Sequence, residues 1–104
     1  MIYAACGYVK ESGDFDYLNK KLDYLDGGTA TVYEHLRQAI VWFEREDNYG
    51  AHGLPRIHHA DWNDALNIPD DKAESVLMAM LICKAYDDMT ELATYIKDYE
   101  YAEK

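Results

Sequence analysis

The residues best suited to chemistry in this sequence lie between His52 and Asn67, in the stretch HGLPRIHHADWNDALN. This stretch places an indole, Trp62, between the carboxylates of Asp61 and Asp64. Because it is too polar and too broken for a helix or a strand, we predict a loop over residues 51–71. A flat aromatic face can hold a sugar ring, and a nearby carboxylic acid can protonate the oxygen that leaves it. The pattern therefore indicates a carbohydrate-active site.

The neighbours of these residues have less specific roles. We expect Asn63 to shape the loop, because asparagine tolerates tight backbone conformations. Asp61 is suited equally to hydrogen-bonding the loop backbone and to contacting substrate. For Trp62, packing in a core is the alternative to contacting a sugar. Arg56 can attract phosphate or an acceptor sugar, or can form an exposed salt bridge. The residue types leave these alternatives open.

The histidines of the same stretch suggest a metal site at first sight. His52, His58 and His59 lie close together in the sequence, with acidic residues nearby. Their spacing, however, does not match a closed set of metal ligands. We therefore expect no metal here.

Composition limits the class of protein. The chain has 104 residues, 49% of them hydrophobic, which is enough for the core of one modest domain. Its net charge of −10 would repel nucleic acid and anionic membranes, so neither is expected as a partner. No apolar run is long enough to span a bilayer. Cys6 and Cys83 lie in apolar helical patterns, and we expect buried free thiols in a reducing cytoplasm.

The elements that position the loop are predicted to be helices, with no strand, so the expected class is all-α. Apolar residues at helical spacing predict helices over residues 2–12, 15–25, 30–46 and 73–97. We expect Gly27-Gly28 to end the second helix and Thr29 or Thr31 to cap the third. The last helix includes Val76–Cys83, which is apolar on every side, so we expect other elements to enclose it.

A set of short motifs carries a family resemblance. In order, they are Tyr8-Val9-Lys10-Glu11-Ser12-Gly13-Asp14, Asp26-Gly27-Gly28, Tyr33-Glu34-His35-Leu36, His52-Gly53-Leu54-Pro55, Asp61-Trp62-Asn63-Asp64 and Ala73-Glu74-Ser75-Val76. Together they resemble the catalytic domain of the glycoside hydrolase family 94 phosphorylases, the cellobiose phosphorylase group formerly classed as glycosyltransferase family 36. The resemblance covers nearly all of the chain.

The resemblance implies a fold and a reaction. The fold is an (α/α)6 barrel, to which residues 1–104 would contribute a single segment of about three or four helices with a long catalytic loop. The reaction is cleavage of a β-glucosidic bond in a disaccharide or oligosaccharide by inorganic phosphate, with inversion and release of an α-sugar 1-phosphate. Phosphate is the co-substrate, and no cofactor is implied.

The resemblance also assigns residues. Asp64 matches the family's general acid, and Trp62 matches a tryptophan of its sugar site. Because phosphate is nucleophilic without a base, one acid is enough, whereas an inverting hydrolase needs a second carboxylate. Burial, the neighbouring Asp61 and the arriving phosphate should all raise the pKa of Asp64 above that of an ordinary aspartate.

The sequence also departs from the family pattern. His58-His59-Ala60 and Ala65-Leu66 stand where many members carry other residues, so the particular sugar is undetermined. The family's donor-binding arginine and aspartate have no counterpart here. Its acceptor-binding glutamate and its phosphate-binding histidine and threonine are missing too. We therefore expect the isolated chain to be inactive.

Other functions remain open. Helices taken from a barrel expose an apolar surface, so we expect a homo-oligomer. One alternative is a non-catalytic helical fragment that binds saccharide or only self-associates. Another is the phosphorylase-like domain of a cyclic β-1,2-glucan synthase.

Overall fold

The computed structural model of the chain describes residues 1–58 and 72–104. This part is mostly helical, as predicted, but it also contains one small antiparallel sheet, so the prediction of no strand is wrong. The helices are α1 (Ile2–Ser12), α2 (Val32–Phe43), α3 (Val76–Tyr95) and α4 (Tyr99–Ala102); the strands are β1 (Lys21–Asp23) and β2 (Thr29–Thr31); and 3-10 turns cover Phe15–Asn19 and Glu46–Asn48.

One hydrophobic core joins the first three helices. Each helix presents apolar residues at helical spacing, and α1 and α2 both pack against α3. Cys6, Val9, Leu36 and Met89 are each only 1% exposed. The buried members of the core are Ile2, Cys6, Val9, Leu18, Val32, Leu36, Ile40, Met89 and Leu92.

Helix α2 begins at a capping box. The hydroxyl of Thr31 accepts a hydrogen bond from the backbone N–H of Glu34, whose carboxylate accepts from the N–H of Thr31 in return. The cap expected at Thr29 or Thr31 is therefore at Thr31. One turn further on, Nε2 of His35 lies 3.1 Å from the carbonyl oxygen of Leu22, which ties β1 to this helix.

The helix predicted over residues 15–25 is wrong. The backbone forms only the 3-10 turn Phe15–Asn19, and β1 then pairs with β2 in antiparallel register. Gly27 and Gly28, with φ of 98° and 90°, form the turn of this hairpin. Leu25, the last apolar residue of the predicted helix, is fully exposed at the hairpin tip. Leu18 still reaches the core from the 3-10 turn, but beyond it strand pairing across the glycine turn outweighs the helical spacing.

Helix α3 is covered along only part of its length. Its second half contributes Met89 and Leu92 to the core, whereas Val76, Met80 and Leu81 are 57%, 64% and 56% exposed. The expectation that other elements enclose Val76–Cys83 is therefore not met by the residues described, and Cys83 is exposed rather than buried. Within 1–58 and 72–104, no helix is long and apolar enough to cross a bilayer.

A buried carboxylate links α1 to α3. Asp88 is 3% exposed, and its Oδ1 accepts hydrogen bonds from the ammonium groups of Lys84 and, at 3.4 Å, Lys10. Lys10 also pairs with the exposed Glu91 at 2.6 Å. The backbone carbonyl oxygen of Asp88 accepts a hydrogen bond from the thiol of Cys6, with 3.8 Å between oxygen and sulfur. These contacts fix the register of the two helices.

The chain turns again after α3. The helix predicted to reach residue 97 ends at Tyr95, because Lys97 adopts a left-handed backbone with φ of 66°. Asp98 then caps α4 and accepts a hydrogen bond from the hydroxyl of Tyr33 at 2.9 Å. This contact joins α2 to the C-terminal turn, and burial together with Asp98 raises the pKa of Tyr33.

Candidate functional site

The structure describes the two ends of the predicted catalytic loop. Asp61, Trp62, Asn63 and Asp64, which carry the predicted chemistry, lie outside the described residues, as does His59. Arg56, His52 and His58 lie within the outgoing end, and the return begins at Lys72. The geometry of these ends determines where the loop starts and finishes.

The two ends are hydrogen-bonded to each other. The backbone N–H of Ile57 donates to the carbonyl of Ala73 at 2.9 Å, and the N–H of Ser75 donates to the carbonyl of Pro55 at 2.8 Å. Arg56 and Glu74 lie opposite each other in this antiparallel pairing. We call these two paired stretches, residues 55–57 and 73–75, the loop base. The loop leaves and returns at one place.

The outgoing side of the loop base is also joined to the end of α2. The N–H of Arg56 donates to the carbonyl of Asn48 at 2.8 Å, and Tyr49 pairs with Pro55. The side-chain amide of Asn48 donates to the carbonyl of Trp42. On the return side, the buried Ser75 caps α3 by accepting from the N–H of Met78 at 3.1 Å. Both sides of the loop base are therefore held by helix ends.

Glu74 connects the two sides through its side chain. Its Oε1 accepts from the backbone N–H of His52 at 3.1 Å and lies 3.2 Å from Nδ1 of the same histidine. The side chain is 9% exposed. The backbone N–H of His52 is the main reason that the pKa of Glu74 is lowered, and the imidazole adds to it. The carboxylate is thus held in its ionised form.

Sequence reasoning assigned Glu74 no role in the site. Its motif, Ala73-Glu74-Ser75-Val76, was used only for the family resemblance and the start of the last helix. The signal in the sequence was a carboxylate at the end of the predicted loop, directly before Ser75, a residue type that often caps a helix. Its partner His52, 22 residues earlier in the sequence, was used for the family resemblance and weighed as a metal ligand, but not as a partner of Glu74.

Arg56 lines a cavity of about 250 Å³ between the C-terminal end of α2 and the first turns of α3. Its Nε donates to the carbonyl of Tyr49 at 3.0 Å. Among the residues described, the salt bridge offered as one role for Arg56 does not form, whereas Arg45 and Asp47 pair through two contacts of 3.1 and 2.7 Å. The lining residues are Trp42, Phe43, Arg45, Asp47, Asn48, Pro55, Arg56, His58, Met78 and Ile82.

The histidines of the outgoing end do not meet around a metal-binding group. His52 is directed to Glu74, and His58 lies at the edge of the cavity with φ of 46°. In the part of the chain that the structure describes, no group of at least three His, Cys, Asp or Glu residues is arranged to hold a metal ion.

Comparison with known proteins covers the whole sequence, including the DWND motif. The family model of the glycosyl hydrolase 94 superfamily, catalytic domain, matches residues 1–104. A solabiose phosphorylase from Paenibacillus borealis is 38% identical over 88 residues, which is 83% of this chain and 11% of that protein. An N,N'-diacetylchitobiose phosphorylase from Vibrio furnissii is 35% identical over 91 residues, which is 88% of this chain and 11% of that protein.

A third relative covers the full chain. A 3-O-beta-D-glucopyranosyl-beta-D-glucuronide phosphorylase from Paenibacillus borealis is 28% identical over 107 residues, 100% of this chain and 14% of that protein. The chain thus spans only 11–14% of the length of these curated relatives. The family match over all residues, together with the ordered motifs and the helical fold, shows that the chain belongs to the glycosyl hydrolase 94 superfamily and corresponds to part of its catalytic domain.

Proposed function

We propose that this chain carries the general acid of an inverting glycoside phosphorylase, and that Asp64 is that acid. The observation that carries the proposal is the match of the catalytic-domain family model to residues 1–104, which include the DWND motif. The relatives described above are named as disaccharide phosphorylases. The hydrogen-bonded loop base adds support, because a catalytic acid must be held in place by rigid elements.

In the proposed reaction, Asp64 donates its proton to the glycosidic oxygen while the bond from that oxygen to the anomeric carbon breaks. An oxygen of inorganic phosphate bonds to the same carbon from the opposite face, which gives an α-sugar 1-phosphate. The acceptor sugar leaves with the proton, and Asp64 remains as a carboxylate until it is reprotonated. No second carboxylate is required, because phosphate is the nucleophile.

The neighbouring residues would bind and orient the substrate. Trp62 would offer its indole face to the sugar ring, and Asn63 would shape the turn before the acid. Asp61 would bind substrate or the loop backbone. Arg56, beside the cavity at the loop base, would attract phosphate or an acceptor sugar. The hydrogen bond from Nε of Arg56 to the carbonyl of Tyr49 supports this proposal, because it holds the guanidinium group beside the cavity.

We further propose that the helices belong to an (α/α)6 barrel. The exposed residues Leu77, Met80 and Leu81 of α3 support this, because such a surface is normally covered by neighbouring helices. In the isolated chain the same surface would pair with a second copy and give a homo-oligomer. The chain has no disulfide between Cys6 and Cys83, which suits the reducing cytoplasm that we propose as its location.

The isolated chain is expected to be inactive. An acid without the residues that position donor and phosphate has lost most of the rate enhancement. Turnover of cellobiose with phosphate by the purified 104 residues, above that of an Asp64→Asn control, would contradict this expectation.

A segment exchange tests the proposed function itself. The matched segment of the Paenibacillus borealis solabiose phosphorylase is replaced by this chain, and phosphate-dependent cleavage of solabiose is measured. We expect the exchange enzyme to release sugar 1-phosphate and its Asp64→Asn variant to release none above background. A folded exchange enzyme, by circular dichroism and gel filtration, that lacks turnover would contradict the proposal.

A further inference from the structure

We propose that Glu74 is a positioning residue for the loop that carries Asp64. It would hold the outgoing and returning ends of that loop together through His52. The inference rests on the proposed function only in naming Asp64 as the acid, since the contacts of Glu74 belong to the described residues.

The first argument is the reach of the side chain. Glu74 is on the returning side of the loop base, and His52 is in the turn that precedes the outgoing side. The carboxylate accepts from the N–H of His52 at 3.1 Å and lies 3.2 Å from its Nδ1, and the backbone N–H of Leu54 also lowers its pKa. Two groups of His52, the backbone N–H and the imidazole, therefore converge on one carboxylate oxygen. Charge-assisted hydrogen bonds of this kind are stronger than neutral ones.

The second argument is the space made for the carboxylate. A Cβ atom added at Gly50 would overlap the carboxylate and Cγ of Glu74. The turn over residues 50–54 closes with the N–H of Gly50 donating to the carbonyl of Leu54 at 2.9 Å. Glycine at position 50 lets the backbone approach the acidic side chain directly. The turn and the side chain are thus fitted to each other.

The third argument is the burial of the second oxygen. Oε2 of Glu74 is buried and has no hydrogen-bond partner among the residues that the structure describes. A buried carboxylate oxygen without a partner is costly, and such a group in a native fold calls for an explanation. The cost of burying Oε2 indicates that this glutamate has a role besides stability, and the contacts of Oε1 with His52 point to what that role is.

The consequence is a constraint on the acid. The described ends of the loop are paired through their backbones, and the side chain of Glu74 adds a further link between them. A displacement of about 1 Å of a catalytic group lowers the rate by roughly 100-fold. Loss of the Glu74 contacts should therefore loosen the loop and lower turnover through the position of Asp64.

A fluorescence experiment tests the positioning role without any assay of activity. The chain has two tryptophans, Trp42 and Trp62, so a Trp42→Phe variant reports on the loop alone. In that background we compare acrylamide quenching of Trp62 for Glu74→Ala, Gly50→Ala and a control, Glu91→Gln. Since local opening exposes side chains to solvent, we expect the quenching constant to rise about twofold in the first two variants and to stay unchanged in the control.

The outcomes of this experiment are distinct. Equal quenching in all variants that retain the parent's circular dichroism would overturn the positioning role. Should Glu74→Ala not fold, Gly50→Ala and His52→Ala give the same comparison, since each disturbs one side of the contact. His52→Ala keeps the backbone N–H, so it should raise quenching less than Gly50→Ala does. A rise in His52→Ala larger than that in Gly50→Ala would contradict the proposed hydrogen bonding.

The exchange enzyme supplies the catalytic readout. There, Glu74→Gln should lower kcat by about 10- to 100-fold with KM little changed, because the acid is misplaced while the sugar site persists. Asp64→Asn should lower turnover of solabiose in the exchange enzyme by about 100- to 10,000-fold, and in the Trp42→Phe chain it should leave Trp62 quenching unchanged. If Asp64→Asn retained turnover, the proposed function would fail while the quenching result stood. If Glu74→Gln left kcat unchanged, the positioning role would fail alone.

Discussion

The backbone N–H of Ile57 donates to the carbonyl of Ala73 at 2.9 Å, across a stretch that contains the DWND motif. This contact brings the two ends of the proposed catalytic loop together at the start of α3. The same place holds Glu74, whose carboxylate bonds to His52, and Ser75, which caps the helix. The loop that carries the proposed acid is therefore attached to a helix end on its returning side.

The fit between Gly50 and Glu74 predicts a position-specific effect of alanine. Gly50→Ala should lower the free energy of unfolding by about 1 kcal/mol, because the added Cβ displaces the end of a side chain rather than backbone. Gly7→Ala is the matched control, since a Cβ there meets nothing within 4 Å inside α1. The control should raise stability by about 0.5–1 kcal/mol. Denaturant titration measures both, and equal effects of the two substitutions would contradict the fit.

The lowered pKa of Glu74 predicts how the loop responds to acid. Because the pKa of Glu74 is lower in the folded chain than its ordinary value of 4.5, the ionised carboxylate stabilises the folded arrangement at any pH above 4.5. This stabilisation is lost as the pH falls below 4.5 and through the lower pKa of the folded chain. Quenching of Trp62 in the Trp42→Phe background should therefore be constant from neutral pH down to about 5 and rise below that. The added Glu74→Gln substitution removes this part of the rise, while other carboxyls contribute to both variants. Superimposable pH profiles would contradict the prediction.

The buried position of Asp88 predicts a strong effect on stability. Asp88→Ala should lower the free energy of unfolding by about 1.5–3 kcal/mol, because it removes hydrogen bonds to the ammonium groups of Lys10 and Lys84. The control is Glu91→Gln, which disturbs an exposed pair of the same Lys10 and should change stability by less than about 1 kcal/mol. Thermal and denaturant unfolding compare them. A larger loss in the control would argue against a link through Asp88.

The uncovered part of α3 predicts self-association of the isolated chain. Leu81→Glu should lower the average mass seen by light scattering at a given concentration, because it places a charge in the exposed apolar surface. Leu25→Glu provides a control at the hairpin tip, where leucine is fully exposed but lies apart from α3. A monomeric parent chain at high concentration would contradict the prediction.

The sequence predicted those elements whose pattern is local and whose partners are in the chain. The spacing of Ile2, Cys6 and Val9 gives α1, and Thr31 followed by Glu34 gives the capped start of α2. The residues Phe15, Leu18 and Leu22 had helical spacing as well. There the antiparallel pairing of a hairpin across Gly27-Gly28 determined the structure, and the pairing of backbone groups is not visible in apolar periodicity.

The site was predictable only in part for a similar reason. The DWND motif is contiguous, so it could be recognised directly, and its structure lies outside the described residues. Glu74 and His52 become partners only when Ile57 meets Ala73, which depends on the fold. The exposure of Cys83 and Leu81 was also not predictable, because an apolar sequence indicates a surface to be covered and not whether a neighbour is present.

The central claim, that Asp64 is the general acid, is tested most directly by changing the leaving group. In the exchange enzyme, Asp64→Asn should lower kcat/KM for solabiose by about 100- to 10,000-fold, the usual range for general acid catalysis. An aryl glycoside of the same donor sugar with a phenol of low pKa needs no proton on its leaving oxygen. We expect the variant to retain most of the parent's phosphorolysis of that substrate. Equal losses on both substrates, or no loss on solabiose, would contradict the assignment of Asp64.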